Sequence, residues 1–98
     1  MTDDVYFGAF VWSQTKNARN VERHGMSFEE AIRIFGDPQC IILYDPAHSY
    51  VEERYFCVGR VGPRIGTVRF TYRHGRVRII GAGFWRKGRK LYEKQKGL

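Results

Sequence analysis

Residues 68–80 read Val-Arg-Phe-Thr-Tyr-Arg-His-Gly-Arg-Val-Arg-Ile-Ile, a stretch with little freedom to be anything but a β-hairpin. Polar and apolar residues alternate at a period of two on both sides of His74-Gly75, and a glycine at that point suits a tight two-residue turn. Such a turn pairs Arg73 with Arg76, Thr71 with Arg78 and Arg69 with Ile80 on one face. Tyr72 with Val77, Phe70 with Ile79 and Val68 with Gly81 then share the other. The second face is a core face. The first carries four arginines. Two unit charges ~5.5 Å apart repel by roughly 0.75 kcal/mol in water and by about 3 kcal/mol at an effective dielectric of 20. A ladder with like charges opposite each other needs compensation, and an anion is the expected source.

The charge of the whole chain follows the same division. Residues 1–53 hold four Lys/Arg against nine Asp/Glu, whereas residues 54–98 hold thirteen against Glu93 alone. This asymmetry, within a net charge of +7, points to a polyanion-binding surface, most often for nucleic acid; the plainer alternative is a basic surface that serves solubility. With 98 residues and 43% hydrophobic content, one domain spanning residues 1–98 around one core is expected. No apolar run reaches membrane-spanning length, and the acidic start Met1-Thr2-Asp3-Asp4 is unlike a signal peptide, so a cytoplasmic protein with no membrane contact is expected. Cys40 and Cys57 lie in strand-like stretches without metal-type spacing and read as reduced, buried thiols. Three scattered histidines add no ligand pattern, and no glycine run opens a helix to cradle phosphate. Neither a metal site nor a cofactor is expected.

Along the chain, Tyr6 to Trp12 reads as a first strand. Ser13 caps a helix that Gly25 ends, with Ala18 and Val21 as its apolar contacts. Ser27 and Glu30 form a capping box for a second helix whose Phe28, Ala31, Ile32 and Phe35 share one face. Gln39–Tyr44 and Arg54–Arg60 read as strands, separated by a polar loop with His48, Ser49, Glu52 and Glu53. After the hairpin, residues 86–96 suit a basic helix anchored by Leu91 and Tyr92. The order β-α-α-β-β-β-β-α predicts an α+β domain: an antiparallel sheet with helices packed on one face and the arginine face left open.

Three segments, KNARNVERHGMSFEEAIRIFGDP, DPAHSYVEERYFCVGRVG and FTYRHGRVRIIGAGFWRKGRKLYE, resemble the BrnT family of bacterial toxins, and together they cover roughly residues 10–94. The resemblance implies a RelE-like α+β fold, ribonuclease activity that cleaves mRNA and arrests translation, and neutralisation by a small BrnA-like antitoxin. That antitoxin carries a ribbon-helix-helix part, so DNA would be met only through the complex. Two departures stand out. Better-known members continue after the position of Ile80 with Ser-Ala-Arg, where this chain has Gly81-Ala82-Gly83. An acidic residue often follows the first tryptophan, where this chain has Ser13.

Cleaving RNA without a metal requires a base for the 2′-hydroxyl, cations around the phosphorane and an acid for the leaving 5′-oxygen. Arg73 and Arg78 are the first candidates for the cations, because guanidinium forks match phosphate. Arg54, Arg69 and Arg76 are expected to extend RNA binding. The proton carrier is open: His48 either shuttles a proton or hydrogen-bonds Asp45, and Glu53 either acts as base or pairs with Arg54. Trp85 either stacks a base or plugs the core, with Arg86, Lys87 and Lys90 nearby for phosphate. The hairpin position of His74 is explained by turn chemistry alone. Outside the enzyme class, the same face suits a non-catalytic RNA- or ribosome-binding module, or a subunit that docks an acidic antitoxin segment.

Overall fold

A computed structural model describes residues 2–97. Its elements are β1 (Asp4–Phe7), β2 (Phe10–Ser13), α1 (Gln14–His24), α2 (Phe28–Phe35), β3 (Ile41–Tyr44), β4 (Tyr55–Val61), β5 (Arg64–Arg73), β6 (Arg76–Gly83) and α3 (Arg86–Gln95). The strands form one six-stranded sheet in the order β1-β2-β6-β5-β4-β3, antiparallel except where β2 runs parallel to β6. The α+β expectation holds. The single first strand does not: Gly8, at φ 58°, folds the aromatic run into a hairpin, so two strands precede α1.

The serine caps form, although of the expected Ser27–Glu30 box only the serine half is made. The Ser13 hydroxyl accepts from the Lys16 N–H, and Gly25 at φ 71° closes α1. Ser27 accepts from the Glu30 N–H at 3.0 Å. The buried stripe of α2 is Phe28, Ala31 and Ile34, with Ile32 and Phe35 at its margin. In α1 the expected apolar contacts fail: Ala18 and Val21 are exposed, and the buried residue is Asn20.

Asn20 explains how α1 joins the sheet. β2 pairs with β6 only at Phe10–Val77 and Val11–Arg78, which leaves the edge of β6 bare beyond that point. Asn20 takes the place of a neighbouring strand there. Its Nδ2 donates to the carbonyls of Ala82 and Met26, each at 2.8 Å, and its Oδ1 accepts from the Ala82 N–H at 3.1 Å.

The β5–β6 hairpin turns through His74 at φ 52° and Gly75 at φ 73°, both left-handed as a type I′ turn requires. Register runs as expected from Arg73–Arg76 to Phe70–Ile79, then shifts. Ile80 is an extra residue in a β-bulge, so Arg69 faces Gly81 and Val68 faces Ala82, not Ile80 and Gly81 as simple alternation predicts. The shift places Val68 and Ala82 together in the core and turns Gly81 and Gly83 to the opposite face.

The core lies between α2 and the face bearing Trp12, Cys57, Val68, Phe70 and Ile79. Gly59 and Gly66 belong to this face, since a Cβ on either would strike α2 atoms at 3.0 Å or less. The third helix breaks the expectation of helices on one face. Tyr92 packs with Val58 and Ile65 in a separate cluster, and a Cβ on Gly88 would meet Thr67 and Val58, residues that alternate with those under α2. Helix α3 therefore covers one end of the arginine face, and Leu91 stays partly exposed while Tyr92 is buried. The thiols are free, with Cys57 buried and Cys40 only partly so. Burial pushes the Cys57 thiol far up, with Cys40 beside it adding to the effect.

Candidate functional site

What α3 leaves uncovered is an open basin of about 810 Å³ at the other end of that face. Strand β5 supplies Arg73, the turn His74, β6 Arg76 and Arg78, β1 Asp4 and Tyr6, and α1 Lys16 and Arg19. The lining holds five Lys/Arg side chains against the carboxylates of Asp3 and Asp4. Among the described residues no group of His, Cys, Asp and Glu side chains could hold a metal ion.

The arginines are not left bare. Arg78 forms a two-pronged pair with Asp4, Nη2 to Oδ1 at 2.8 Å and Nη1 to Oδ2 at 3.1 Å. Arg73 Nη2 donates to both oxygens of Glu52, at 2.6 and 2.9 Å. Arg76 donates to the Gly8 carbonyl at 2.7 Å and lies over the Tyr6 ring, 5.1 Å from its centroid. The compensation that the ladder needs is thus partly internal, provided by the N-terminal hairpin and the loop before β4. The Arg78 guanidinium holds the Asp4 carboxyl below its usual range, and Arg73 does the same to Glu52. Arg78 is pushed up in turn by Asp4.

Asp3 anchors the same corner from below. It accepts from the Thr15 hydroxyl, from the Thr15 N–H at 2.8 Å and from the Ser13 hydroxyl at 3.0 Å. These bonds, led by the Thr15 hydroxyl, lower its pKa to about 2. Asp37 is also lowered: burial works against it, but bonds from the Tyr92 hydroxyl and two backbone N–H groups outweigh burial. All four carboxyls are more acidic folded than unfolded. Their contribution to stability is therefore complete above the ordinary values of 3.8 and 4.5, and is lost as pH falls through each lowered folded value, which for Asp3 is about 2. Urea midpoints are expected to stay level from neutral pH down to about 5 and then fall steeply below about 4. A midpoint unchanged at the acid end would contradict this set of bonds.

Of the expected site residues, Arg73, Arg76 and Arg78 meet in the basin. His48 does not line it. Its Nδ1 lies 2.8 Å from buried Asp45, and its ring borders a shallow pocket with Tyr50, Val51, Glu52 and Arg54. Glu53 is exposed and accepts from the Tyr55 hydroxyl at 3.1 Å, which raises the Tyr55 pKa; the neighbour that reaches the arginines is Glu52. Arg54 lies 3.7 Å from Glu52. Arg69 and Trp85 border a second pocket beside the basin, while Arg86, Lys87 and Lys90 are exposed on α3.

Several lining residues escaped sequence reasoning. Lys16, Arg19 and Arg23 belong to the acidic half of the chain, yet α1 brings them to the arginine face. Their i, i+3, i+7 spacing on one helical face was the available signal. His74 gave none beyond its place in the turn.

Fold and site together define a small α+β domain whose sheet opens into a cationic basin framed by carboxylates. A family model for the ribonuclease toxin BrnT of type II toxin–antitoxin systems matches residues 12–88. The chain belongs to this family, and with it to the ribonuclease toxins, whose type II systems pair each toxin with a cognate antitoxin. No curated protein matches the chain. No helix among the described residues is long and apolar enough to cross a membrane.

Proposed function

We propose that this protein is a metal-independent endoribonuclease that cleaves mRNA and so arrests translation in the cytoplasm, and that the basin is its active site. The observation that carries the reading is the convergence of Arg73, Arg76 and Arg78 with Lys16 and Arg19 around one open cavity. Guanidinium groups preorganised by Glu52 and Asp4 can receive the non-bridging oxygens of the scissile phosphate and stabilise the added charge of the phosphorane. The carboxylates hold the forks in orientation; their lowered pKa values make them weak bases.

His74 is the imidazole in this lining, and we assign it the proton transfer. His48 and Glu53 are engaged by Asp45 and Tyr55 outside the basin. The proposed partner is a small BrnA-like ribbon-helix-helix antitoxin, with DNA contacted through the complex. Its binding has an apolar edge available in β3, where Ile42 and Tyr44 are each 50% exposed.

The test is cleavage of single-stranded RNA by the purified chain in excess chelator, on free RNA and on translating ribosomes, with wild type and His74→Asn. Asparagine tolerates the left-handed turn, so the variant should fold with unchanged or slightly higher stability. Cleavage should fall by about 10²- to 10⁴-fold if His74 moves a proton. Full activity in His74→Asn would remove it from the mechanism. Wild type that binds RNA but cuts neither substrate would leave a non-catalytic RNA-binding module.

A further inference from the structure

A second pocket of about 280 Å³ adjoins the basin, lined by Lys16, Arg19, Arg23 and His24 of α1 together with Arg69 and Trp85. Its lining contains no carboxylate, unlike the basin. We propose that it is a non-cleaving subsite for single-stranded RNA, which takes a nucleotide further along the strand from the cut phosphate. The inference rests on the ribonuclease reading of the basin.

Continuity is the first argument: Lys16 and Arg19 line both cavities, so a strand leaving the basin meets cations without interruption. Reach is the second. From Lys16 to Arg23 the helix rises about 10.5 Å, so its one cationic face extends from the basin into the second pocket. The third is a fixed aromatic surface. Gly83 has no Cβ, and one built there would fall 2.6 Å from the Trp85 ring, so the indole lies directly on β6. The His24 ring meets it edge-on with centroids 5.2 Å apart, and Arg69 lies 5.9 Å from its centroid. An indole already held by packing loses little freedom when a base stacks on it. The volume sits near the roughly 300 Å³ lower end of ligand pockets, which suits a single nucleotide. An acidic protein segment would use the cations but has no need of the indole.

The experiment measures binding of fluorescent, uncleavable 2′-deoxy-substituted RNA strands of about four and about twelve nucleotides, spanning the usual site sizes. Wild type should bind the longer strand more tightly. Trp85→Leu should weaken that binding by about tenfold, Trp85→Phe should restore most of it, and Arg23→Ala should make the log-log salt slope shallower by about 0.7. Arg23 is exposed, so its variant should melt as wild type does. Wild-type affinity and slope in both Trp85→Leu and Arg23→Ala would overturn the subsite while leaving the basin reading intact. Loss of antitoxin binding with RNA binding untouched would overturn it too, in favour of a protein contact. Failure of wild type to bind either strand would instead refute the ribonuclease reading on which the subsite depends.

Discussion

Replacing Arg73 and Arg78 together by alanine is expected to lower RNA cleavage by at least about 10³-fold, since one preorganised donor at a developing oxyanion is commonly worth about 10²–10³. The two effects should not multiply, because both guanidinium groups serve the same phosphate. Some loss of stability must accompany the change. The side chains of Arg78 and Asp4 are 17% and 16% exposed, and removing Arg78 leaves that carboxylate without its partner. Asp4→Asn separates the two causes: it dissolves the same ion pair but keeps the guanidinium. A variant Asp4→Asn that loses far less cleavage than Arg73→Ala/Arg78→Ala, its amide oxygen still able to accept one bond from Arg78, would assign the loss to the arginines. Equal inactivity would mean that the anchoring of the N-terminal hairpin matters instead. Undiminished cleavage by the double alanine variant would place the active site elsewhere.

Asn20→Ala should produce the largest loss of stability of any single polar substitution in α1. It strips partners from the Ala82 N–H, the Ala82 carbonyl and the Met26 carbonyl, and no strand is present to replace them. Each buried group left unsatisfied costs about 1–3 kcal/mol, so a total of about 3 kcal/mol or more is expected. That is a large share of the roughly 5–15 kcal/mol that holds a domain together. For a chain of this size it corresponds to a fall in Tm of about 12 °C or more. Asn20→Asp should do no better, because its oxygens face two carbonyls and bury a charge. Thermal melts and hydrogen exchange at the Ala82 amide read the effect; a Tm within a few degrees of wild type would show that water replaces the side chain.

Much of the fold was legible because local chemistry decided it. The hairpin at His74-Gly75, the Ser13 and Ser27 caps, the Gly25 stop and the α2 stripe each depend on residues within a few positions of one another. The BrnT resemblance was legible for the same reason, carried by motifs in order along the chain. The misreadings differ in cause. The turn at Gly8 was a local signal, a glycine inside an aromatic run, whereas strict alternation through Ile80 hid a bulge that is set by pairing across the sheet. The side of the sheet taken by α3 hinges on Gly88 meeting Thr67, a contact between distant parts of the chain.

The site divides along the same line. Sequence by itself determined that a row of arginines would stand on one strand face, because a β-strand's period of two fixes which side chains share it. Tertiary structure alone decided what surrounds them. Asp4 reaches Arg78 across 74 positions of sequence and Glu52 reaches Arg73 across 21, so the arginines are held by internal carboxylates. It also brought α1, with three of the four cations of the acidic half, beside the basic half. Charge counted along a chain records how many cations exist; where they converge is set by packing, here by one buried asparagine that docks a helix on an open strand edge.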